Sequence, residues 1–273
     1  MNTATILITG CSSGIGHATA EFAAQRGHRV IATAPSKALL VECPDSATAR
    51  YVLDVCDEAS IDAAVSAAEE EVGPIDALVN NAGYCQAGPV ELVPGERVEK
   101  QFRVNVFGTL ATIRRVLPSM RERRRGTIVN LASLFGLMGG PFLGIYVASK
   151  HAVEGLSDCL RMEVADFGVR VVIIEPGWIR TKLTETSIEH ADPGWQEDPS
   201  PYAPRLQSAD AKKDQAGAIE GEPVDVARVI LRAIESSSPR ARYKVTAFGK
   251  VMPVANTLLP AGWMDRILLK TFT

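Results

Sequence analysis

The chain has 273 residues, 46% of them hydrophobic and 22% charged, with a formal net charge of −3. That composition provides ample core, which excludes disordered and fibrous chains, and the acidic balance supplies no overall positive field to hold nucleic acid. No apolar run reaches the length of about eighteen residues that a membrane span needs, and Met1 to Thr5 carry no basic leader, so neither a span nor a secretory signal is expected. The five cysteines (Cys11, Cys43, Cys56, Cys85 and Cys159) are odd in number and form no C-x-x-C pair. A disulfide framework and a metal site are therefore not expected, and a reducing cytoplasm is the natural home.

In chain order, Thr5 to Thr9 reads as a short buried strand stopped by Gly10, and 14–26 as a helix ended by Gly27. Strands follow at Arg29 to Ala34 and Ala49 to Leu53, then a helix over 58–72 and a strand at Ile75 to Asn80. One long helix is predicted over 96–121, with Val98, Phe102, Phe107, Leu110, Ile113 and Leu117 inward. Thr127 to Leu131, a helix over 145–166, and Arg170 to Glu175 continue the alternation. Near-continuous apolar strands separated by helices predict an α/β fold, a Rossmann-type doubly wound parallel sheet of about seven strands with helices on both faces. No linker or repeat divides the chain, so 1–273 is read as a single domain. The proline-rich, weakly periodic stretch 183–222 is expected to be a substrate lid. A helix restarts at Val224, a last strand is placed at Arg242 to Thr246, and the amphipathic tail 250–272 is expected to break at Pro253 and Pro260.

Directly after the first strand stands Thr9-Gly10-Cys11-Ser12-Ser13-Gly14-Ile15-Gly16. Glycines let the backbone turn sharply and approach a pyrophosphate, whose charge suits the free N–H groups of a helix N-terminus. Farther on, Tyr146 and Lys150 lie four residues apart, on one face of a helix. An ammonium beside a phenol favours the phenolate, so Lys150 is expected to lower the pKa of Tyr146 and fit it for general acid–base work. Ser133, at the end of a strand, can donate a hydrogen bond to a substrate oxygen as charge develops there. His17, His28, His151 and His190 have no motif partner. Arg121 to Arg125 is read as a solvated helix end.

The G-x-x-x-G-x-G spacing, with Asn80-Asn81-Ala82-Gly83 after the fourth strand, resembles the short-chain dehydrogenases/reductases. Asp54-Val55, Asn105, Ser133, Tyr146-Val147-Ala148-Ser149-Lys150 and Pro176-Gly177-Trp178-Ile179-Arg180-Thr181 extend the resemblance over nearly the whole chain. The resemblance implies a catalytic set of Asn105, Ser133, Tyr146 and Lys150, with Lys150 on the nicotinamide ribose and Asn105 supporting a water that links Lys150 to solvent. It implies a cofactor site of Gly10, Ser12, Ser13, Gly14, Ile15, Gly16, Asp54, Val55, Asn81, Ala82, Gly83, Tyr146, Lys150, Pro176, Gly177, Ile179 and Thr181, with no metal. NAD enzymes place a carboxylate just past the second strand. Here Ala34-Pro35-Ser36-Lys37 offers none before Glu42, which favours NADP over NAD while leaving both open.

The apolar run Leu134 to Phe142 and the lid side chains Leu183, Ile188, Trp195 and Tyr202 predict a pocket for a hydrophobic ketone or secondary alcohol. This run resembles the branch holding steroid and retinol dehydrogenases and bacterial ketoreductases. A non-catalytic nucleotide-binding sensor and an acyl-carrier-protein ketoreductase, docked through Arg114, Arg115 and Arg121 to Arg125, stand as alternatives. The resemblance also implies a homodimer or homotetramer through the helices around 100–120 and 145–166. The tail is expected to pack on the domain or lid rather than to touch a membrane.

Overall fold

The computed structural model describes residues 3–181, 200–213 and 221–272, the side chains of 209–213 and Phe272 apart. Seven parallel strands form one sheet: β1 (Thr5–Ile8), β2 (Arg29–Ala34), β3 (Ala49–Val52), β4 (Ala77–Asn80), β5 (Gly126–Leu131), β6 (Val169–Pro176) and β7 (Arg242–Val245). They lie in the order β3-β2-β1-β4-β5-β6-β7, with Leu7 paired to Ile31 on one side and to Leu78 on the other. Successive side chains of a strand point to opposite faces, and both faces are buried. Ile6 and Ile8 therefore enter a cluster with Ala20 and Ala23 of α1 (Gly14–Gln25) and Val226 and Ile230 of α8 (Pro223–Glu235). Leu7 enters the opposite cluster with Ile61 and Val65 of α3 (Glu58–Glu71) and Ile113 and Val116 of α5 (Gly108–Glu122). The chain direction across the sheet reverses between β1 and β4, which opens a crevice at their carboxyl ends.

The remaining elements are α2 (Lys37–Leu40), α4 (Gly95–Phe102), α6 (Gly144–Glu163), α7 (Ala203–Lys213), α9 (Ala247–Leu258) and α10 (Ala261–Phe272). Side-chain caps fix several ends. Asp57 accepts from the Ala59 N–H at the start of α3, and Glu222 and Asp225 form a capping box around Pro223 at the start of α8.

Two expectations need correction. The long helix is interrupted by a π-turn, Arg103–Phe107, and its extra residue rotates the helix face. Phe107 consequently points to solvent, and Thr109, Thr112 and Val116 line the buried side with Ile113. Pro253 does not break the tail, because α9 runs through it; only Pro260 separates α9 from α10. The short α2 was not foreseen, four residues being too few for a periodic signal.

A buried polar chain ties the site-bearing helices to the sheet. Thr112 donates to the Asn80 side chain at 2.6 Å, Asn80 to Asn130 at 2.8 Å, and Asn130 to Ser157 at 2.9 Å. It crosses from α5 through β4 and β5 to α6. Every link is between buried groups, where an unmade hydrogen bond is costly, so it holds α6 in register with the strand ends.

Candidate active site

The glycine loop is held from behind by the segment after β4. The Thr9 hydroxyl accepts from the backbone N–H groups of Asn81 and Ala82, both at 3.0 Å, and the Asn81 amide donates to the carbonyls of Thr9 and Gly10, both at 2.9 Å. Gly10 and Gly14 have φ of +72° and +58°, the left-handed region where glycine carries no penalty. A Cβ on Gly16 would lie 2.1 Å from the Gly10 carbonyl oxygen, so helix and loop approach as closely as backbone allows. Ser13 makes no side-chain cap on α1, and the first turn carries no acid, so this N-terminus presents N–H groups and positive dipole to the crevice.

A cavity of about 570 Å³ runs from this loop to Tyr146, a volume usual for small-molecule sites. Gly10, Ser12, Ser13, Gly14, Ile15, Asp54, Val55, Asn81, Ala82, Gly83, Ser133, Tyr146, Lys150, Pro176, Gly177, Ile179 and Thr181 all line it. Gly16 does not; it acts from behind, through the close approach just described. Asn105 also lies off the wall, buried in the π-turn. Its side chain accepts from the Tyr84 N–H at 3.1 Å, donates to the Tyr84 carbonyl at 3.1 Å, and donates to the Ser149 hydroxyl at 3.2 Å. It thus fixes the wall segment and α6 without touching the cavity. A cradle of bare backbone, an uncapped helix start and a wall drawn from the carboxyl ends of β2 to β6 fit a dinucleotide.

At the far end, Ser133, Tyr146 and Lys150 are all buried. Ser133 follows β5 and caps a short turn, accepting from the Phe135 N–H at 3.2 Å. The Lys150 ammonium donates to the Leu131 carbonyl at 2.7 Å and stands 5.8 Å from the Tyr146 ring centroid. The expected lowering of the tyrosine is reversed. Burial pushes the Tyr146 phenol up, Cys85 adds to this, and a hydrogen bond with Ser133 works against it. Lys150 is itself pulled down to about 8 by burial, against the opposing pull of Cys85 and Glu154. Desolvation outweighs the expected ammonium effect because both partners leave water together. Tyr146 is accordingly a neutral phenol, a proton donor to any oxygen that gains negative charge beside it.

Cys85 is buried against Tyr146 and is pushed up to about 12 by burial, with Lys150 opposing, so it is a neutral thiol. Phe135 meets Tyr146 edge-on at 6.5 Å and Trp178 at 6.2 Å, forming an aromatic wall. Leu134 and Met138 turn away from the cavity into a cluster with Met264 and Leu268 of α10, so the run 134–142 is only partly pocket wall. Leu183, Ile188 and Trp195 lie outside the described residues. Tyr202 meets Phe142 edge-on at 6.3 Å and donates to Glu91 at 2.5 Å. Sequence reasoning missed Glu42, Leu39, Tyr84, Cys85 and Trp178 on the wall. Only the flanking positions of Tyr84, Cys85 and Trp178 in the motifs could have signalled them. Arg115 pairs with Asp62 and Glu69, Arg123 with Asp76, and Arg121 stacks on Phe167, so much of the basic cluster is committed to the fold.

A crevice of this construction, at the switch point of a parallel sheet, belongs to the dinucleotide-dependent oxidoreductases. Residues 4–192 match the family model for short chain dehydrogenases. The chain is 35% identical to a 3-ketodihydrosphingosine reductase of Bacteroides thetaiotaomicron over 90% of this chain and 89% of that one. It is 33% identical to an NADPH-dependent 3-dehydrocapnine reductase of Ornithobacterium rhinotracheale over 97% and 95% of the two. A short-chain dehydrogenase/reductase of Burkholderia phymatum in complex with NAD superposes with a TM-score of 0.80 at 25% identity, covering 97% and 95%. The chain belongs to the short-chain dehydrogenase/reductase family and is an NAD(P)-dependent oxidoreductase acting between CH–OH and C=O. Among the described residues, no helix is long and apolar enough to cross a membrane.

Proposed function

We propose that the enzyme interconverts a hydrophobic ketone and its secondary alcohol, with Tyr146 as the proton donor and acceptor. The observation that carries this is the buried hydroxyl of Tyr146 beside Ser133 and Lys150 at the end of an aromatic-walled cavity. The nicotinamide supplies or takes the hydride when bound. Gly10, Ser12 to Gly14 and the start of α1 would hold the diphosphate, Asp54 and Val55 would border the adenine, and the segment Pro176 to Thr181 together with Lys150 would hold the nicotinamide end. In reduction Ser133 donates a hydrogen bond to the substrate oxygen, orienting it toward Tyr146. The Tyr146 proton then moves to that oxygen as it becomes an alkoxide, and Lys150 stabilises the phenolate left behind. Asn105 is a positioning residue, acting through Tyr84 and Ser149. The domain is read as a single unit; the stretch 183–222, read from the sequence as a substrate lid, lies largely outside the described residues.

The 3-keto substrate in the name of the Bacteroides relative supports a long-chain ketone as the first candidate. NADP is favoured by the missing carboxylate at Ala34 to Ser36 and by the name of the Ornithobacterium relative, while Glu42, which lines the cavity, acts in the opposite direction. Five free cysteines support a reducing cytoplasm. Phe107 and Met162, 60% and 67% exposed on the α4–α5 and α6 layer, support a homodimer or homotetramer there.

The test is oxidation of NADPH and NADH against cyclic, aryl, steroidal, long-chain 3-keto and carrier-linked ketones, with Tyr146→Phe in parallel. Turnover that falls at least ~100-fold in Tyr146→Phe, with nucleotide binding retained, is the expected result. Turnover that survives in Tyr146→Phe refutes the proton-donor assignment. Nucleotide binding without turnover on any ketone refutes the substrate class in favour of a sensor.

A further inference from the structure

The helices α9 and α10 each bury one side against the body and leave the other side apolar. Phe248, Met252, Ala255 and Leu259 face inward with Met264 and Leu268, onto Leu134 and Met138. On the outer side Val251, Val254 and Leu258 follow at spacings of three and four residues and are 63%, 50% and 77% exposed; Trp263 and Ile267, four apart, are 62% and 40% exposed. This ridge adds nothing to the core, and exposing a tryptophan and four aliphatic side chains together costs solubility unless something covers them. Among them stand the exposed cations Lys250 and Arg266, with Lys270 one turn beyond Arg266. The pair of helices carries three basic side chains and one acid, Asp265, in a chain whose net charge is −3.

We propose that the outer face of α9 and α10 docks on an anionic lipid surface. Aliphatic and indole side chains flanked by lysine and arginine suit the boundary between acyl chains and headgroups, where the stems stay in the apolar layer and the charges meet lipid phosphate. A second copy of this chain fits less well, since a two-fold contact through this face would bring together two copies of the same patch, each with three cations and one carboxylate. The helix that carries this face is tied to the site from its inner side: Asn256 on α9 donates to the Leu137 carbonyl at 3.3 Å, two residues beyond the cavity wall at Phe135. Docking there would place the apolar end of the cavity near the source of a membrane-dissolved substrate. The docking itself does not depend on the substrate reading.

The test is flotation of the full chain with vesicles of phosphatidylcholine alone and of phosphatidylcholine with phosphatidylglycerol, at low and high salt, alongside sedimentation velocity. Binding to the anionic vesicles should exceed that to the neutral ones by ~10-fold or more and weaken with salt. The double variant Leu258→Ser, Trp263→Ser should bind ~10-fold more weakly with an unchanged thermal melt, because both side chains are already in water. Lys250→Glu with Arg266→Glu should erase the difference between the two vesicle types. Equal binding of wild type to both vesicle types, or none to either, overturns the proposal. So does a self-associated species that ignores vesicles and dissociates in the serine variant, which would assign the face to a second copy.

Discussion

Glu154→Gln should flatten the dependence of stability on pH. Glu154 lies one turn beyond Lys150 on α6, and Arg242 of β7 reaches it together with Asp158 and, at 2.9 Å, Glu175. Glu154 and Glu175 are 5% and 1% exposed, and each keeps one buried oxygen without a hydrogen-bond partner. One guanidinium cannot offset several crowded carboxylates, and burial raises Glu154 from 4.5 to about 7, with Arg242 opposing and Glu175 adding to the rise. A carboxyl with a raised folded pKa contributes stability that is fully present below the unfolded value and is lost as pH rises through the folded one. The window is therefore pH 4.5 to about 7. The full shift would be worth about 3 kcal/mol, and allowing for solvent at the edge of the cluster leaves about 2 kcal/mol. For a chain of this length that is about 5 °C in Tm. Thermal melts of wild type and Glu154→Gln at pH 5, 6, 7 and 8 should converge at pH 5, with the variant about 5 °C ahead at pH 8. Parallel curves across that range would refute the reasoning. An independent readout follows from Lys150, whose pKa Glu154 holds up. The limb of the activity profile governed by Lys150 should move to lower pH in the variant.

Other outcomes follow from the same geometry. Gly16→Ala places a Cβ 2.1 Å from the Gly10 oxygen and should weaken NADPH binding at least ~100-fold by calorimetry, since the phosphate loop must shift. Glu42 lines the cavity, and Glu42→Gln should raise the NADPH to NADH preference ~5-fold, read as the ratio of the two dissociation constants. An unchanged ratio would show that Glu42 does not face the ribose. Ser133→Ala should lower kcat ~10- to 1,000-fold while leaving nucleotide affinity unchanged; a parallel loss of affinity would assign Ser133 to binding instead.

The strands and the glycine loop were legible from the chain because their causes are local. Ile6, Leu7 and Ile8 form a short β-branched and aliphatic run buried on both faces, and no distant residue is needed to read it. Tyr146 and Lys150 share a helix face at four-residue spacing, again a local fact. Their pKa shifts were not legible, since they depend on burial in the assembled fold and, beyond it, on the charges of Cys85 and Glu154 and a hydrogen bond with Ser133. The π-turn at Asn105 escaped for a similar reason. Its extra residue is held by hydrogen bonds to Tyr84 and Ser149, which no periodicity of residues 96–121 records.

Glu42 and Trp178 illustrate the division most plainly. By itself the sequence determined the seven strands and most of the helices, and where the backbone is bare enough to meet a phosphate, because hydrophobic period and glycine act over a few residues. Only the tertiary structure decided that Glu42 folds back onto the cofactor wall, that Trp178 joins Phe135 beside Tyr146, and which side of α9 and α10 remains in water. Those outcomes depend on what the sheet order brings together, and burial is a property of the assembled surroundings rather than of the residue.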